Sequence, residues 1–134
     1  MNYYNSLFNS NDIIIPDTTS IRQKIKSKIP NLKPKSKGDL KILAIYHHYN
    51  WENVSLKPSL EKFGTVRHYD WCEDFNHQVK AWHRSIKSKM NDELIRLVKL
   101  WISEDSTDVI FTYLSGELIA PSVAKKIAQT GVPV

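Results

Sequence analysis

The chain has 134 residues, of which 41% are hydrophobic and 25% are charged. This length suits one ordinary domain, and the composition is that of a soluble globular protein, which excludes disorder over the whole chain, collagen-like repeats and disulfide scaffolds. No apolar run approaches the roughly 18–20 residues of a membrane span. The first residues lack the basic-then-apolar order of a secretory signal, so we expect a cytoplasmic location. Cys72 is the only cysteine, which excludes an internal disulfide and a multi-cysteine metal site.

The net charge of +5 is concentrated at one end of the chain. Residues 1–41 carry eight Lys or Arg against three Asp, whereas residues 42–134 carry eleven basic and eleven acidic side chains. A neutral globular part has no broad positive field to collect a phosphate backbone. We therefore expect a solvated basic leader and no nucleic-acid partner.

Residues 1–38 are predicted to form a leader and linker. The segment 18–29 has the pattern of a short amphipathic helix, with Asp17 or Thr18 as its cap and Pro30 as its stop. Its apolar stripe consists of three isoleucines four residues apart: Ile21, Ile25 and Ile29. A stripe of this kind can dock on protein or lie on an anionic membrane surface, and its small area favours docking on protein. Residues 30–39, PNLKPKSKGD, predict a linker.

Residues 39–134 have the alternating pattern of an α/β domain. Strands are predicted at 40–46, 65–69 and 108–114, and residues 132–134 resemble the start of a fourth. The first run is almost wholly apolar, as in an inner strand covered on both faces. We expect a partial Rossmann-like, three-layer αβα domain whose short parallel sheet has the first strand in the centre. A sheet of three strands and the start of a fourth suggests the first part of a longer protein.

Helices are predicted between these strands. The first carries Leu56, Leu60 and Phe63 on one face and ends at Gly64 in a left-handed conformation. The strongest helical pattern covers 78–103, with a possible kink at Asn91, and assigns Trp82 and Trp101 to the core. A last helix is expected from about Pro121 to Gln129, closed by Gly131.

In an open parallel sheet, ligands bind beyond the carboxyl ends of the strands, where the loops here are 47–53, 70–77 and 114–120. The first loop, HHYNWEN, combines two imidazoles, two aromatic rings, two amides and a carboxylate. It is suited to stacking on a sugar and hydrogen-bonding its hydroxyls, although its aromatic rings alternatively only cover the sheet. The scattered glycines give no phosphate-binding loop or dinucleotide fingerprint.

The chemistry of the other motifs stays open. No metal is expected, because no HxH or HExxH spacing occurs and adjacent His47 and His48 cannot easily face one ion. Cys72 lies in an acidic, aromatic stretch that predicts an inert thiol. A general base could be any of four residues, among which the sequence does not choose: His47, His48, Glu52 and Asp70.

Three stretches resemble the amino-terminal domain of CgeB-like glycosyltransferases, which have the two-Rossmann-domain GT-B architecture. They are KILAIYHHYNWENVSLKPSLEKFGTVRHYDW, MNDELIRLVKLW and DVIFTYLSGELIAPSVAKKIAQTGVPV. The resemblance covers about residues 39–134, and its most specific parts are W…L.P.LE.FG.V..YDW and the YLSG turn followed by GVPV.

The resemblance implies transfer of a sugar from a nucleotide-sugar donor to an unknown acceptor, usually without a structural metal and with no cofactor. The carboxyl-terminal domain of such enzymes mainly holds the nucleotide, and the amino-terminal domain shapes the acceptor side of the cleft. We expect the present chain alone to be inactive. The residues proposed to line the cleft are His47, His48, Asn50, Trp51, Glu52, Ser115, Gly116 and Glu117. The alternative is a non-catalytic α/β interaction module with the basic helix as its docking arm.

Overall fold

The computed structural model describes residues 17–30, 35–49 and 51–134. The chain forms two units that divide between residues 33 and 34. Two residues of the predicted linker belong to the second unit by contact: Lys35 Nζ lies 2.7 Å from Asp108 Oδ2, and the Gly38 amide donates to the Phe63 carbonyl at 2.9 Å. Residues 31–34 of that linker lie outside the described residues, as does Asn50.

Helix α1 spans Thr18–Lys28 in the first unit. Asp17 is its N-cap, because Asp17 Oδ1 accepts a hydrogen bond from the Ser20 amide at 2.8 Å. Ile29 is the C-cap residue. The predicted helix and cap are confirmed. Ile21 and Ile25 are exposed, and the docking of their stripe stays a prediction.

The second unit contains a three-stranded parallel sheet in the order β2–β1–β3. The strands are β1 (Leu40–Ile45), β2 (Gly64–Tyr69) and β3 (Val109–Thr112). The register places Ile42 opposite Val66 on one side and opposite Val109 on the other. The predicted α/β class, parallel sheet and central first strand are all confirmed.

Both faces of β1 are covered, which explains its apolar sequence. Leu43 and Ile45 belong to the main core, which also includes Met90, Leu94 and Val98 of the long helix. Ile42 and Ala44, which alternate with them, are buried as well. The segment predicted as a fourth strand contributes one backbone bond to the sheet edge, from the Ile110 amide to the Pro133 carbonyl at 2.8 Å.

Two of the connecting helices begin with a π-helical turn. The turn Glu52–Leu56 leads into α2 (Lys57–Glu61), and the turn Trp82–Ile86 leads into α3 (Lys87–Glu104). Helix α4 (Pro121–Ala128) follows β3, and Gly131, which was predicted to close this helix, has a left-handed φ of 82°. Among the described residues, no helix is both long and apolar enough to span a bilayer.

The irregular part of the long helix is not at the position that the sequence suggested. Helix α3 is continuous through Asn91, so the helix does not restart there, which the sequence had left open. The Asn91 amide donates to the carbonyls of Lys87 and Leu118, and its Oδ1 accepts from the Ala120 amide. Asn91 therefore joins α3 to the segment before α4. The irregularity lies earlier, at the π-helical turn.

Three packing predictions need correction or refinement. Trp82 is buried as expected. Trp101 packs against the main core but is only half-buried, and its ring lies beneath the Arg67 guanidinium, 4.2 Å from the ring centroid. Phe63 is exposed rather than on a buried helix face. Gly64 does not have the left-handed conformation expected of it. Its hydrogen instead makes room for the Leu40 carbonyl, whose oxygen would be 1.8 Å from an added Cβ.

Candidate functional site

A cavity of about 200 Å³ lies at the carboxyl ends of the strands. This is the edge at which ligands bind in open parallel sheets. The wall combines aromatic rings and imidazoles with one carboxylate and two leucines. The lining residues are His47, Tyr49, Glu52, Trp71, His77, Tyr113, Leu114 and Leu118.

A buried carboxylate, Asp70, organises one side of this edge. It comes directly after β2, so it lies beside the loop that follows β1 in the parallel sheet. Asp70 Oδ1 is 3.0 Å from His47 Nδ1, and Asp70 Oδ2 is 2.9 Å from His48 Nδ1. Two backbone amides, of His48 and Cys72, also donate to it. One carboxylate thus orients two imidazoles and connects the loop after β1 with the loop after β2.

These hydrogen bonds keep Asp70 ionised. Burial acts to raise the pKa of Asp70, but the bonds from His47, from both the amide and the ring of His48, and from the Cys72 amide outweigh it and lower the pKa. An ionised carboxylate only accepts hydrogen bonds, so each imidazole carries its proton on Nδ1. Nε2 of each ring is then the nitrogen that can accept a proton.

A second buried carboxylate, Glu52, organises the other side. It accepts a hydrogen bond from the Tyr49 amide at 2.8 Å and from the Tyr113 hydroxyl at 2.7 Å. The same hydroxyl lies 3.1 Å from the His47 carbonyl oxygen. Burial, and then the bond to Glu52, raise the pKa of Tyr113, so its phenol stays protonated. These contacts join the loop after β3 to the loop after β1.

Side chains with sulfur, nitrogen and oxygen ligand atoms lie together beside the cavity. Cys72 Sγ is 3.5 Å from His77 Nδ1, and the ligand atoms of His47, Asp70 and Cys72 all lie within 4.8 Å of one another. Burial, and then the charge of Asp70, raise the pKa of Cys72 to about 11. Without a bound cation, the thiol is therefore protonated and weakly nucleophilic at neutral pH, in agreement with the inert cysteine that was predicted.

The structure brings together part of the predicted site. His47 and Glu52 line the cavity, and the His48 ring, 41% exposed, lies on Asp70 beside it. Trp51 is 56% exposed and is not a lining residue. Asn50 lies outside the described residues.

The predicted residues 115–117 are not in the wall of this cavity. They form a turn whose carbonyls bind other parts of the unit: Gly116 O accepts from Lys87 Nζ at 2.9 Å, and Glu117 O lies 3.4 Å from Trp82 Nε1. Ser115 O accepts from the amides of Leu118 and Ile119. Their neighbours Tyr113, Leu114 and Leu118 line the cavity instead.

Three residues of the observed site are not among the predicted cleft-lining residues: Asp70, His77 and Tyr113. The first appeared only among possible bases, although its position directly after a strand indicated the carboxyl edge. Tyr113 lies within the largely apolar run 108–114 that predicted a buried strand, so its hydroxyl was not recognised as part of a site. The position of His77 depends on the fold of the irregular loop 70–81, which periodicity does not describe.

Comparison with known proteins gives no match to a family model, a curated protein or a solved structure. The assignment of a function therefore depends on the geometry of the site and on the resemblance noted in the sequence.

Proposed function

We propose that residues 39–134 contribute the acceptor side of the cleft in a glycosyltransferase that uses a nucleotide-sugar donor. The observation that carries this proposal is the cavity at the carboxyl edge, where aromatic rings surround hydrogen-bonding groups held by two buried carboxylates. A sugar has apolar C–H faces and a polar rim, so such a wall is complementary to it. The resemblance to CgeB-like glycosyltransferases points to the same function.

The site also supplies groups that can accept a proton from an acceptor hydroxyl. Of the four candidate bases, Asp70 and Glu52 are buried and engaged in several hydrogen bonds. The two imidazoles remain, and Asp70 orients both with Nδ1 inward. Removal of the hydroxyl proton by such a ring would leave a more nucleophilic oxygen, while the nearby carboxylate stabilises the imidazolium.

The donor is proposed to bind mainly outside residues 39–134. A nucleotide diphosphate needs backbone amides or cationic side chains against its phosphates. The loop after β1 has no glycine, and residues 42–134 have no net charge. The activated sugar would therefore reach the cavity from another part of the enzyme.

Ligand-detected saturation-transfer NMR on the purified chain tests this proposal. The panel contains methyl glycosides of the common hexoses and N-acetylhexosamines, together with UDP- and GDP-sugars. We expect weak saturation transfer to at least one glycoside. Tyr49→Ala should abolish it, because this ring is 62% exposed and lines the cavity.

The matched control is Phe63→Ala, an exposed aromatic residue just before β2, at the opposite end of the strands. This variant should bind like the wild type. Trp51→Ala tests whether this exposed ring, which does not line the cavity, also contacts the sugar as the sequence predicts. An absence of transfer to every glycoside, or an equal loss in Phe63→Ala, would contradict the proposal and favour a non-catalytic interaction module.

A further inference from the structure

Four side chains that commonly bind transition metals lie together at the carboxyl edge. Asp70, Cys72 and His77 come from the loop after β2, and His47 comes from the loop after β1. Cys72 is at their centre: its Sγ is 3.5 Å from His77 Nδ1 and within 4.8 Å of the ligand atoms of His47 and Asp70. The cluster therefore spans two loops that are distant in sequence.

Two of the separations are close to those of a tetrahedral zinc site. With Zn–S of about 2.3 Å, Zn–N of about 2.05 Å and Zn–O of about 2.1 Å, a tetrahedron has S–N and N–O edges of about 3.5 and 3.4 Å. The observed Sγ–Nδ1 distance between Cys72 and His77 is 3.5 Å, and the Nδ1–Oδ1 distance between His47 and Asp70 is 3.0 Å. His77 is not in the group whose ligand atoms all lie within 4.8 Å of one another, so its ring must turn towards His47 and Asp70 to complete the tetrahedron.

The donor set selects the class of metal. A thiolate with imidazole nitrogens suits zinc and related borderline metals, whereas magnesium and calcium require mostly oxygen ligands. The thiolate and the carboxylate together neutralise a divalent charge. Two buried indoles, Trp71 and Trp82, pack around His77 with ring centroids 5.2 and 6.2 Å from its own, so part of the site is shielded from water.

We propose that the chain binds one Zn²⁺ through Cys72, Asp70 and His47, with His77 as the fourth ligand. The ion joins the loops that follow β1 and β2 and fixes one wall of the cavity. The His48 ring occupies Asp70 Oδ2, so the ion would bind Oδ1. Ligation through His47 Nδ1 moves the proton of that ring to Nε2 and replaces its hydrogen bond to Asp70, which leaves His48 as the imidazole that can accept a proton. Zinc binding does not rest on the proposed sugar transfer and would hold for an interaction module as well.

Titration of the reduced full chain with Co²⁺ and Zn²⁺ tests the site. We expect one Co²⁺ per chain, with a near-ultraviolet thiolate-to-cobalt charge-transfer band and the intense visible bands of tetrahedral cobalt. Zn²⁺ should displace the cobalt and raise the melting temperature. Cys72→Ser should remove the charge-transfer band and lower Zn²⁺ affinity more than about 100-fold, since loss of a ligand exceeds the effect of losing an outer partner.

Two histidine variants show whether the ion is held where the structure indicates. His77→Ala should lower the affinity at least tenfold while keeping the charge-transfer band, whereas His83→Ala, which lies outside the cluster, should match the wild type. Circular dichroism without metal confirms that each variant is folded. Absence of a charge-transfer band in the wild type, or equal affinities for His77→Ala and His83→Ala, would overturn the proposal.

Discussion

The hydroxyl of Tyr113 lies 2.7 Å from a carboxylate oxygen of Glu52, although 61 residues separate them in the chain. This bond joins the segment that follows β1 to the segment that follows β3 at the cavity. Tyr113→Phe should lower the free energy of unfolding by about 1.5–3 kcal/mol, the range for hydrogen bonds to charged groups. Urea denaturation of the two proteins measures the difference.

Tyr46→Phe is the matched control for Tyr113→Phe. The Tyr46 ring stacks on Tyr113, with centroids 5.7 Å apart, and is fully buried. Its hydroxyl has no hydrogen-bond partner among the described residues. Removing that hydroxyl should leave stability unchanged or raise it. If Tyr46→Phe were the more destabilising of the two substitutions, the assignment of hydrogen bonds at this edge would be wrong.

Gly64 should tolerate no side chain. An added Cβ would lie 1.8 Å from the Leu40 carbonyl oxygen, which belongs to the backbone of the central strand and cannot move aside alone. Gly64→Ala should therefore destabilise the protein by about 1–3 kcal/mol or more. Gly116 has open space around it, so Gly116→Ala should change stability by less than about 0.5 kcal/mol. Equal melting temperatures for the two variants would contradict this account.

Trp82 should contribute far more to stability than Trp51. Trp82 is 4% exposed and belongs to the main core, so Trp82→Ala should cost about 3–5 kcal/mol. Trp51 is mostly exposed, and Trp51→Ala should cost less than about 0.5 kcal/mol. Chemical denaturation of both variants compares them, and a small effect of Trp82→Ala would show that this ring is not in the core.

Tyr69 should make the protein sensitive to alkali. Burial, and then the charge of Asp74 and a hydrogen bond to it, raise the pKa of Tyr69 above its ordinary value. Its contribution to stability is therefore complete below about pH 10, the pKa of an unfolded tyrosine, and is lost as the pH rises further. Tyr69→Phe should lose less stability than the wild type between neutral pH and pH values above 10. Equal slopes of unfolding free energy against pH for the wild type and Tyr69→Phe above pH 10 would contradict this.

The sheet could be predicted because its sequence pattern has a direct physical cause. The run that became β1 is apolar at successive positions since both faces are covered, and only an inner strand satisfies that condition. The π-helical turns could not be predicted in this way. At Trp82–Ile86 the apolar spacing of three and four continues through the turn, so the sequence pattern does not reveal the change in backbone hydrogen bonding.

The candidate site was predicted only in part, because its main contacts join distant segments. Both His47 and His48 contact one carboxylate, Asp70, which follows a different strand. The cysteine was judged alone, whereas the structure places His77 beside it. The spacing of residues within one segment cannot predict these contacts, because they depend on how the loops fold.

Chemical-shift mapping tests the central claim most directly. A ¹⁵N-labelled chain is titrated with the methyl glycoside that gives the strongest saturation transfer. We predict progressive shifts of amides in the loop from His47 to Tyr49, around His77 and at Tyr113, with no change at Phe63. Shifts confined to other surfaces, or none up to the solubility limit of the sugar, would contradict an acceptor site at the carboxyl edge of the sheet.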